Sequence, residues 1–498
     1  MRAPFRQVGP AIVAGLLVAC TSAPSPAPSQ TPPASTRPSP PSVPSASAEL
    51  TPTRVPIETP GVASNNLGLH GSAREIAEGI LMAPGPDGSL FVSIPRADGS
   101  ILARLDGTGR LRPGWPTTIK NTSACTLLFA VSDGSVRTVC DATDLPEPEL
   151  EARDVRAFAF DANGNLMPGW PIRVLASEVG RVVGTDLTLF VRQGLTDTPT
   201  TGQVSERAWL ATFAAGGSLR RGNEVPLLEP CCGVIWSIGP DGVAYGVETL
   251  RESEDGAAVS NRIKVIDRSG ARDGWPEPFA GTPSSPGFGQ DGRIVLTAGS
   301  IRLGTSRLLA FAKDGTGVSA SSPDLPIATA ETFGTGDCSG AAPMAPLLAE
   351  DGTAFLYSAI DDAVFAVDPA LKVMPGWPYR PATSLVRPDS RYVKEDAFCP
   401  GFATPTLGPD RTLYLPLQAR NATVGGSLVA VDPAGKVAPG WPVELKRPGS
   451  EFWAVVVGPA GTAFALAVEP ESSTTSSASI LGISPDSTVV YRTTIVDP

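Results

Sequence analysis

The tetrapeptide Pro-Gly-Trp-Pro recurs along this chain of 498 residues, and the spacing of its copies constrains the fold more than any other feature. Four copies are identical and a fifth reads Asp-Gly-Trp-Pro. The five tryptophans, separated by 55, 105, 102 and 64 residues, are Trp115, Trp170, Trp275, Trp377 and Trp441. The two long intervals each correspond to two units of about 50 residues, and self-similarity at this period predicts the four-stranded blades of a β-propeller.

Two kinds of turn repeat independently of the tryptophan. The first is Asp-Gly or an equivalent pair between apolar segments, which accommodates the positive φ angles of tight hairpin turns. Its eight positions, 46 to 60 residues apart, are Asp87, Asp133, Asp186, Asp241, Asp291, Asp351, Asp410 and Ala460. The second is an apolar strand that ends in an acidic or small turn, at residues 103–107, 158–162, 211–215, 264–268, 309–313, 365–369, 429–433 and 481–484.

These repeats predict an all-β chain that folds as an eight-bladed β-propeller of four-stranded antiparallel sheets over residues 79–498. Residues 489–496 form the last strand and complete blade eight from the C-terminus. Closure of the ring by strand exchange with residues 58–78 stays open. Seven blades is the alternative, because the unit at residues 179–227 is the least regular.

The tryptophans are interpreted as structural repeat residues. Proline on either side fixes the backbone and prevents pairing in a sheet. A large aromatic side chain at this position can wedge between adjacent sheets and bury on the order of 200 Å².

The N-terminus predicts export and a lipid anchor. Arg2 and Arg6 precede an apolar run that is too short to span a bilayer, so residues 1–19 are expected to be a signal peptide. The run ends in Leu17-Val18-Ala19-Cys20, which resembles the bacterial lipobox. This resemblance implies that the mature chain begins at a lipidated Cys20 and is held at a membrane.

A tether and a lead-in segment are expected to follow Cys20. Residues 21–60 contain 12 prolines among serines, threonines and alanines, a composition that cannot bury a core. Residues 20–60 therefore form a disordered tether that reaches on the order of 100 Å, and residues 61–78 lead into the propeller. The net charge of −11 argues against a nucleic-acid partner, since that would need clustered Lys and Arg.

Residues 428–441 resemble the quinoprotein-like propeller repeat, with its apolar strand, aspartate, glycine turn and tryptophan. The resemblance covers nearly the whole chain after residue 79 and implies the propeller fold, whereas activity has to be argued from a site. The family includes both pyrroloquinoline-quinone dehydrogenases and catalytically inert lipoproteins. This chain departs from the pattern by placing Pro-Gly before the tryptophan and by often lacking a Thr-Gly pair.

Four of the six cysteines other than Cys20 form two candidate disulfides, which an exported protein permits. Cys125 and Cys140 flank one Asp-Gly turn almost symmetrically, so they can face each other across a hairpin. Cys338 and Cys399 each precede the first strand of consecutive blades, which makes them candidate partners at the mouth of the channel.

Cys231 and Cys232 are adjacent in sequence and precede a first strand. Quinoprotein alcohol dehydrogenases use a vicinal disulfide beside their cofactor, so this pair is the sharpest enzymatic indication in the chain. A rigid loop and cross-pairing with other cysteines are the alternatives. The calcium ligands and the catalytic base of that family cannot be placed here by motif.

Other catalytic signals are sparse. The single histidine, His70, precedes the first blade, which excludes histidine-based zinc sites and Ser-His-Asp catalysis inside the propeller. Residues 161–165, Asp-Ala-Asn-Gly-Asn, resemble an integrin-like calcium repeat, although a turn with capping side chains also explains them. We assign no catalytic, cofactor-binding or metal-binding residue from the sequence.

Three function classes remain open. The leading hypothesis is a non-catalytic, lipid-anchored binding or scaffold module, facing the cell surface or the periplasm, whose propeller rim takes a protein or a polysaccharide. This hypothesis needs no cofactor. The alternatives are a dehydrogenase that uses pyrroloquinoline quinone with calcium, and a glycan hydrolase or lyase that uses carboxylates in the channel.

Overall fold

The computed structural model describes residues 55–56 and 79–496, apart from segments 97–98, 144–153, 176–178, 196–204, 229–234, 252–258, 273–277, 290–291, 301–304, 313–317, 326–345, 359–362, 382–385, 388–400, 403–404, 418–423 and 472–475. No helix among these residues is long and apolar enough to cross a bilayer.

The strands form eight consecutive antiparallel sheets, the blades of a propeller. An initial pair of residues, β1 (Val55–Pro56), precedes them. Blade 1 contains β2 (Leu81–Pro84), β3 (Leu90–Arg96), β4 (Gly99–Leu105) and β5 (Thr117–Lys120); blade 2 contains β6 (Thr122–Ala130), β7 (Val136–Ala142), β8 (Asp154–Phe160) and β9 (Ile172–Leu175). Blade 3 contains β10 (Val179–Val183), β11 (Asp186–Leu195), β12 (Ser205–Phe213), β13 (Leu219–Arg221) and β14 (Val225–Leu228); blade 4 contains β15 (Ile235–Ile238), β16 (Ala244–Arg251), β17 (Val259–Asp267), β18 (Gly270–Ala271) and β19 (Phe279–Ala280).

The second half of the chain repeats this order. Blade 5 contains β20 (Thr282–Pro283), β21 (Gly287–Phe288), β22 (Ile294–Ser300), β23 (Thr305–Phe311) and β24 (Val318–Ser321); blade 6 contains β25 (Leu347–Leu348), β26 (Ala354–Ser358) and β27 (Ala363–Val367). A separate hairpin pairs β28 (Val386–Arg387) with β29 (Gly401–Phe402). Blade 7 contains β30 (Thr406–Leu407), β31 (Leu413–Leu417), β32 (Ser427–Val431) and β33 (Val443–Glu444); blade 8 contains β34 (Glu451–Val457), β35 (Ala463–Pro470), β36 (Ser476–Ile483) and β37 (Val489–Val496).

The eight-bladed propeller predicted from the repeats is confirmed. Blade 8 consists of four consecutive strands and ends in β37, which spans the residues expected for the last strand. The irregularity of the unit at residues 179–227 reflects an outer strand that is divided into β13 and β14, both paired with β12. It is still a complete blade.

The middle strands of the blades are mostly buried, which explains their continuous apolar sequences. Every residue of β4, β31 and β32 is buried, because neighbouring blades cover both faces of each sheet. Eight apolar clusters fill the spaces between consecutive blades. One cluster joins blade 8 to blade 1, so the ring is closed by side-chain packing.

The turn from the first to the second strand has the same length in seven blades. It occupies five residues, at 85–89, 131–135, 239–243, 289–293, 349–353, 408–412 and 458–462. In each turn the first residue donates its N–H to the carbonyl of the fifth, and the fourth donates to the carbonyl of the first. The fourth residue has a positive φ, between +68° and +83°, which glycine adopts without strain.

Two features differ from the regular four-stranded blade, and both lie at the outer edge of a sheet. Blade 6 has three regular strands, and its fourth segment is reduced to the isolated bridges Val364–Tyr379 and Val367–Val373. Strand β1 lies within the expected tether and pairs in parallel with β33 at the outer edge of blade 7.

The alternation of strand directions separates two faces of the propeller. The turns that join the first to the second strand, and the third to the fourth, lie on one face, which we call the turn face. The connections from the second to the third strand, and from one blade to the next, leave from the opposite face, which we call the loop face.

Candidate functional site

The Pro-Gly-Trp-Pro segments lie at the contacts between consecutive blades. Trp115, Trp170, Trp377 and Trp441 are between 1% and 7% exposed. Each indole N–H donates to a backbone carbonyl in the next blade, at Ala162 (3.2 Å), Ala215 (3.0 Å), Pro433 (3.2 Å) and Pro485 (3.0 Å) respectively. Trp275 lies outside the described residues.

The glycine and the second proline adapt the segment to this contact. Gly376, for example, has φ of +86°, and a Cβ atom there would lie 2.3 Å from the carbonyl oxygen of Ala434 in the next blade. The Trp-Pro bond is cis in all four described copies. The buried indoles offer no stacking surface to a ligand, so the segment acts within the fold.

The structure confirms one of the candidate disulfides. Cys125 and Cys140 face each other across β6 and β7 and are bonded. Both are buried where blade 2 meets blade 1. The remaining sites predicted from cysteines and histidine, at Cys20, His70, Cys231, Cys232, Cys338 and Cys399, lie outside the described residues.

The calcium-like segment 161–165 has the hydrogen bonding of a capped turn. One carboxylate oxygen of Asp161 accepts the backbone N–H groups of Asn163 and Asn165, both at 2.9 Å, and the other accepts the side-chain amide of Asn165 at 3.1 Å. Across the described residues, no group of three or more His, Cys, Asp or Glu side chains is arranged to hold a metal ion.

A concavity lies along the central channel. It forms an open cavity of about 800 Å³ between the inner strands of blades 1 to 5. Most of the side chains that line it are apolar, among them Met82, Leu128, Phe129, Val182 and Phe288, and backbone groups add polar surface. A cavity of this size, lined by apolar side chains and a few polar ones, has the character of a small-molecule site.

Three polar side chains line the channel cavity: Arg181 on β10, Ser132 in the turn after β6, and Ser237 on β15. The Arg181 guanidinium donates one hydrogen bond to the carbonyl of Ile238, at 3.2 Å. Burial lowers the pKa of Arg181, and the negative charge of Asp241 partly offsets this. The cavity therefore has one cationic side chain, and most of its other lining side chains are apolar.

A second, polar cavity of about 460 Å³ lies between the turns of blades 3 and 4. Its three carboxylates already have partners. Asp186 is paired with Arg220, and Asp267 with Arg272 at 2.7 Å. Asp241 accepts the hydroxyl of Tyr245 at 3.0 Å, and burial together with this carboxylate raises the pKa of Tyr245. The three carboxylates of this cavity therefore belong to ion pairs and hydrogen bonds within the fold and do not form an open binding site.

The described wall of the channel cavity carries none of the acidic side chains on which the quinone–calcium and glycan-hydrolysis hypotheses rely. Calcium needs several oxygen ligands, usually with carboxylates among them, and the residues described along the channel cavity include no Asp or Glu. Arg181 would also repel a cation. The same wall supplies no pair of carboxylates for glycan hydrolysis, which needs two.

Sequence reasoning missed Arg181 and both serines. Arg181 and Ser237 lie on inner strands and Ser132 lies in the turn after one, in three different blades, with about 50 residues between successive positions. Nothing in a short segment shows that these positions converge on one channel, because convergence depends on closing the ring. The available signal was a cationic residue in a first strand that is otherwise apolar.

Comparisons with known proteins show only distant similarities. No family model matches the chain, and no curated protein does. Among solved structures, a streptogramin B lyase is 12% identical, with 80% of this chain and 92% of that chain covered and a TM-score of 0.36. The β-propeller domain of the Trilobed protease from Pyrococcus furiosus is 10% identical, with 84% and 97% covered and a TM-score of 0.40. Dipeptidyl peptidase 4 of Porphyromonas gingivalis is 8% identical, with 84% and 59% covered and a TM-score of 0.47. All three similarities are distant, and the fold of this chain rests on its own strands.

Proposed function

We propose that this chain is a non-catalytic, lipid-anchored binding module outside the cytoplasm, whose loop face takes a protein or a polysaccharide. The contrast between the two faces of the propeller supports this proposal. Seven of the turns between first and second strands have the same five-residue length. Connections at the loop face range from residues 97–98 in blade 1 to residues 322–346 between blades 5 and 6.

Uniform turns and variable connections have different physical origins. The turn residues have one backbone geometry, and their hydrogen bonds are satisfied within the turn, so that face serves the fold. Variable connections on a rigid scaffold are where binding residues concentrate. The loop face is therefore where we expect a large ligand to bind.

The anchor rests on Cys20 and the tether after it. A lipidated Cys20 would hold the chain at a membrane through acyl groups, and buried methylenes contribute about 0.8 kcal/mol each. The proline-rich segment between Cys20 and the propeller would place the loop face within reach of envelope components.

The binding proposal is tested with variants of each face. Shortening residues 144–153 or 196–204 to a Gly-Ser linker alters the loop face and leaves the strands intact. The matched control is Asp410→Asn, which alters a turn on the opposite face. Each protein is incubated with native envelope and with a glycan array, and bound material is quantified against a scrambled-loop chain.

We expect one or more ligands that bind the wild type and the control and are lost from a loop variant. Recovery of nothing above the scrambled chain would contradict the proposal. Binding that survives shortening of both loops, and is instead abolished by the control, would place the site on the turn face.

The anchor is tested separately by Cys20→Ser. The wild type should be labelled by an alkyne fatty acid and sediment with membranes, whereas the variant should do neither. Equal labelling of both chains, or membrane association that persists in the variant, would exclude Cys20 as the anchor.

A further inference from the structure

The channel cavity combines mostly apolar side chains with a single cationic side chain, which lacks a carboxylate partner among the described residues. The Arg181 guanidinium has five N–H donors and makes one hydrogen bond among the described residues, to the carbonyl of Ile238. No ion pair of Arg181 occurs within the described part of the chain. Its side chain lines the cavity.

The carboxylate whose charge acts on Arg181 is that of Asp241, and this carboxylate already accepts other hydrogen bonds. It accepts the hydroxyl of Tyr245 at 3.0 Å and the backbone N–H of Val243 at 3.2 Å. It caps a turn of blade 4 and acts on Arg181 only through its charge. A half-buried guanidinium in this position gains most from an anion that enters the channel.

Ser132 and Ser237 add two hydroxyl groups, from the turn after the inner strand of blade 2 and from the inner strand of blade 4. Neither side chain has a hydrogen-bond partner among the described residues. Hydroxyl groups donate to a carboxylate as readily as they accept, so they complement the guanidinium. With Arg181 of blade 3, they would give the cavity polar side chains to bind a carboxylate, whereas most of its other side chains are apolar.

We propose that the channel binds a small organic acid with one carboxylate and an extended apolar body. The carboxylate pairs with Arg181, and the apolar body packs against Met82, Leu128 and Phe288. A neutral hydrophobic molecule would bury the guanidinium without an acceptor, which is costly. A metal cation would be repelled, and a small inorganic anion would leave most of the cavity unfilled.

This inference is independent of the loop-face ligand, since it concerns different residues and a different class of molecule. Failure of either proposal leaves the other in place. The probe is sodium decanoate, titrated by calorimetry into the full chain carrying Cys20→Ser, so that no acyl group at the proposed anchor competes. Decanol, decylammonium and acetate are the comparison ligands.

We expect decanoate to bind roughly 10- to 100-fold more tightly than decanol, because a charge-assisted hydrogen bond is lost with the alcohol. Decylammonium should bind more weakly still, and acetate should not bind at the same concentrations. Octanoate should be weaker than decanoate by about fourfold for each methylene removed, which corresponds to about 0.8 kcal/mol.

The variant Arg181→Gln locates the site. Its affinity for decanoate should fall to the level of decanol, while its affinity for decanol stays unchanged, and Arg181→Lys should retain part of the preference for the acid. The matched control is Arg207→Gln in the same blade, since Arg207 is exposed and paired with Glu224 at 3.2 Å. Thermal unfolding establishes that each variant is folded.

Equal affinities of the wild type for decanoate and decanol would overturn the proposal without any variant. So would a complete lack of decanoate binding, or decanoate binding that is unchanged in Arg181→Gln.

Discussion

At the scale of single residues, the Pro-Gly-Trp-Pro segment joins each blade to the next through one side chain. The indole of Trp377 contacts Phe355 edge-on at 5.4 Å and donates to the carbonyl of Pro433 in blade 7. Gly376 allows the two backbones to approach. The blade contact thus combines a buried aromatic ring, a hydrogen bond from the indole, and a close backbone contact at glycine. The same combination recurs at each described Pro-Gly-Trp-Pro segment.

Removing this wedge should be costly. We expect Trp377→Ala to lower the free energy of unfolding by about 3–5 kcal/mol, because a large side chain leaves a cavity and an unpaired carbonyl. Val373→Ala is the matched control in the same segment, since Val373 is 39% exposed, and it should change stability by less than about 0.5 kcal/mol. Urea denaturation measures both, and equal effects would contradict the wedge.

A second residue-scale feature is the acidic turn of blade 1. Asp87 contacts Arg104 at 3.1 Å and Arg112 at 2.6 Å, and accepts the hydroxyl of Ser89 at 2.6 Å. Burial alone raises the pKa of Asp87, but the hydrogen bonds from Ser89 and the two arginines outweigh it and lower the pKa from 3.8 to about 2. The folded state therefore favours the ionised carboxylate.

This shift predicts a specific dependence on pH. A lowered pKa stabilises the fold above the unfolded-state value and ceases to do so as the pH falls from about 4 to about 2. Because the Asp87 side chain is 38% exposed, screening reduces the effect to about 1 kcal/mol. We expect Asp87→Asn to be less stable than wild type at pH 7 and equal to it near pH 2, measured by urea denaturation. A difference that is constant across this range would exclude the carboxylate as its cause.

At the scale of strands and turns, the sequence predicts those features that depend only on residues close together in the chain. The five-residue turns were found from Asp-Gly pairs because the carboxylate caps its own turn, as Asp351 does by accepting the N–H of Thr353 at 3.0 Å, and because the fourth residue needs a positive φ. Arg411 occupies that position in blade 7 with φ of +68°. The turn geometry therefore tolerates a non-glycine residue where the rest of the repeat is intact.

Contacts between blades could not be predicted in the same way. In three of the four blades with a described Pro-Gly-Trp-Pro segment, the second strand carries a Phe or Tyr beside the tryptophan, as in Phe91–Trp115, Phe355–Trp377 and Tyr414–Trp441. Blade 2 instead has the fully buried Arg137, whose guanidinium lies 5.9 Å from the ring of Trp170. A cation–π contact replaces an aromatic pair there, and only the assembled interface shows that the two are equivalent. The channel residue Arg181 was missed for the same reason.

The disulfide of blade 2 makes a prediction at this scale. Cys125 and Cys140 are 15 residues apart, and a cross-link of this span is worth roughly 3 kcal/mol in the unfolded-chain model. We expect the double variant Cys125→Ala, Cys140→Ala to lose about 2–3 kcal/mol of stability by urea denaturation. Dithiothreitol should lower the free energy of unfolding of the wild type by a similar amount.

The response of the double variant to dithiothreitol is equally informative. No further loss would mean that Cys231, Cys232, Cys338 and Cys399 contribute no stabilising bond. A further loss would show that a second disulfide exists. A double variant as stable as wild type would exclude a stabilising role for the Cys125–Cys140 bond.

At the scale of the whole molecule, the described strands of blades 8 and 1 close the ring by side-chain packing; residues 58–78, the candidate segment for strand exchange, lie outside the described residues. Blade 8 is built from residues 451–496 alone, and its last strand packs against the first blade. Tyr491 takes the place of the missing tryptophan, since its ring lies against Gly109 in the turn of blade 1. Thr493 adds a hydrogen bond from its hydroxyl to the carbonyl of Gly109, at 2.7 Å. Closure therefore depends on a few side chains from the final strand.

Two hydroxyl groups at this contact should respond in opposite directions to removal. The hydroxyl of Tyr491 is buried and has no hydrogen-bond partner among the described residues, whereas that of Thr493 has one. Tyr491→Phe should leave stability unchanged or raise it by about 1 kcal/mol, because an unsatisfied polar group is removed. Thr493→Val should lower it by about 1 kcal/mol, because the carbonyl of Gly109 loses its donor. Tyr491→Ala should cost about 3–5 kcal/mol through lost packing. Thermal and urea unfolding measure all three, and a loss in Tyr491→Phe as large as that in Thr493→Val would mean that the tyrosine hydroxyl does hold a partner where the ring closes.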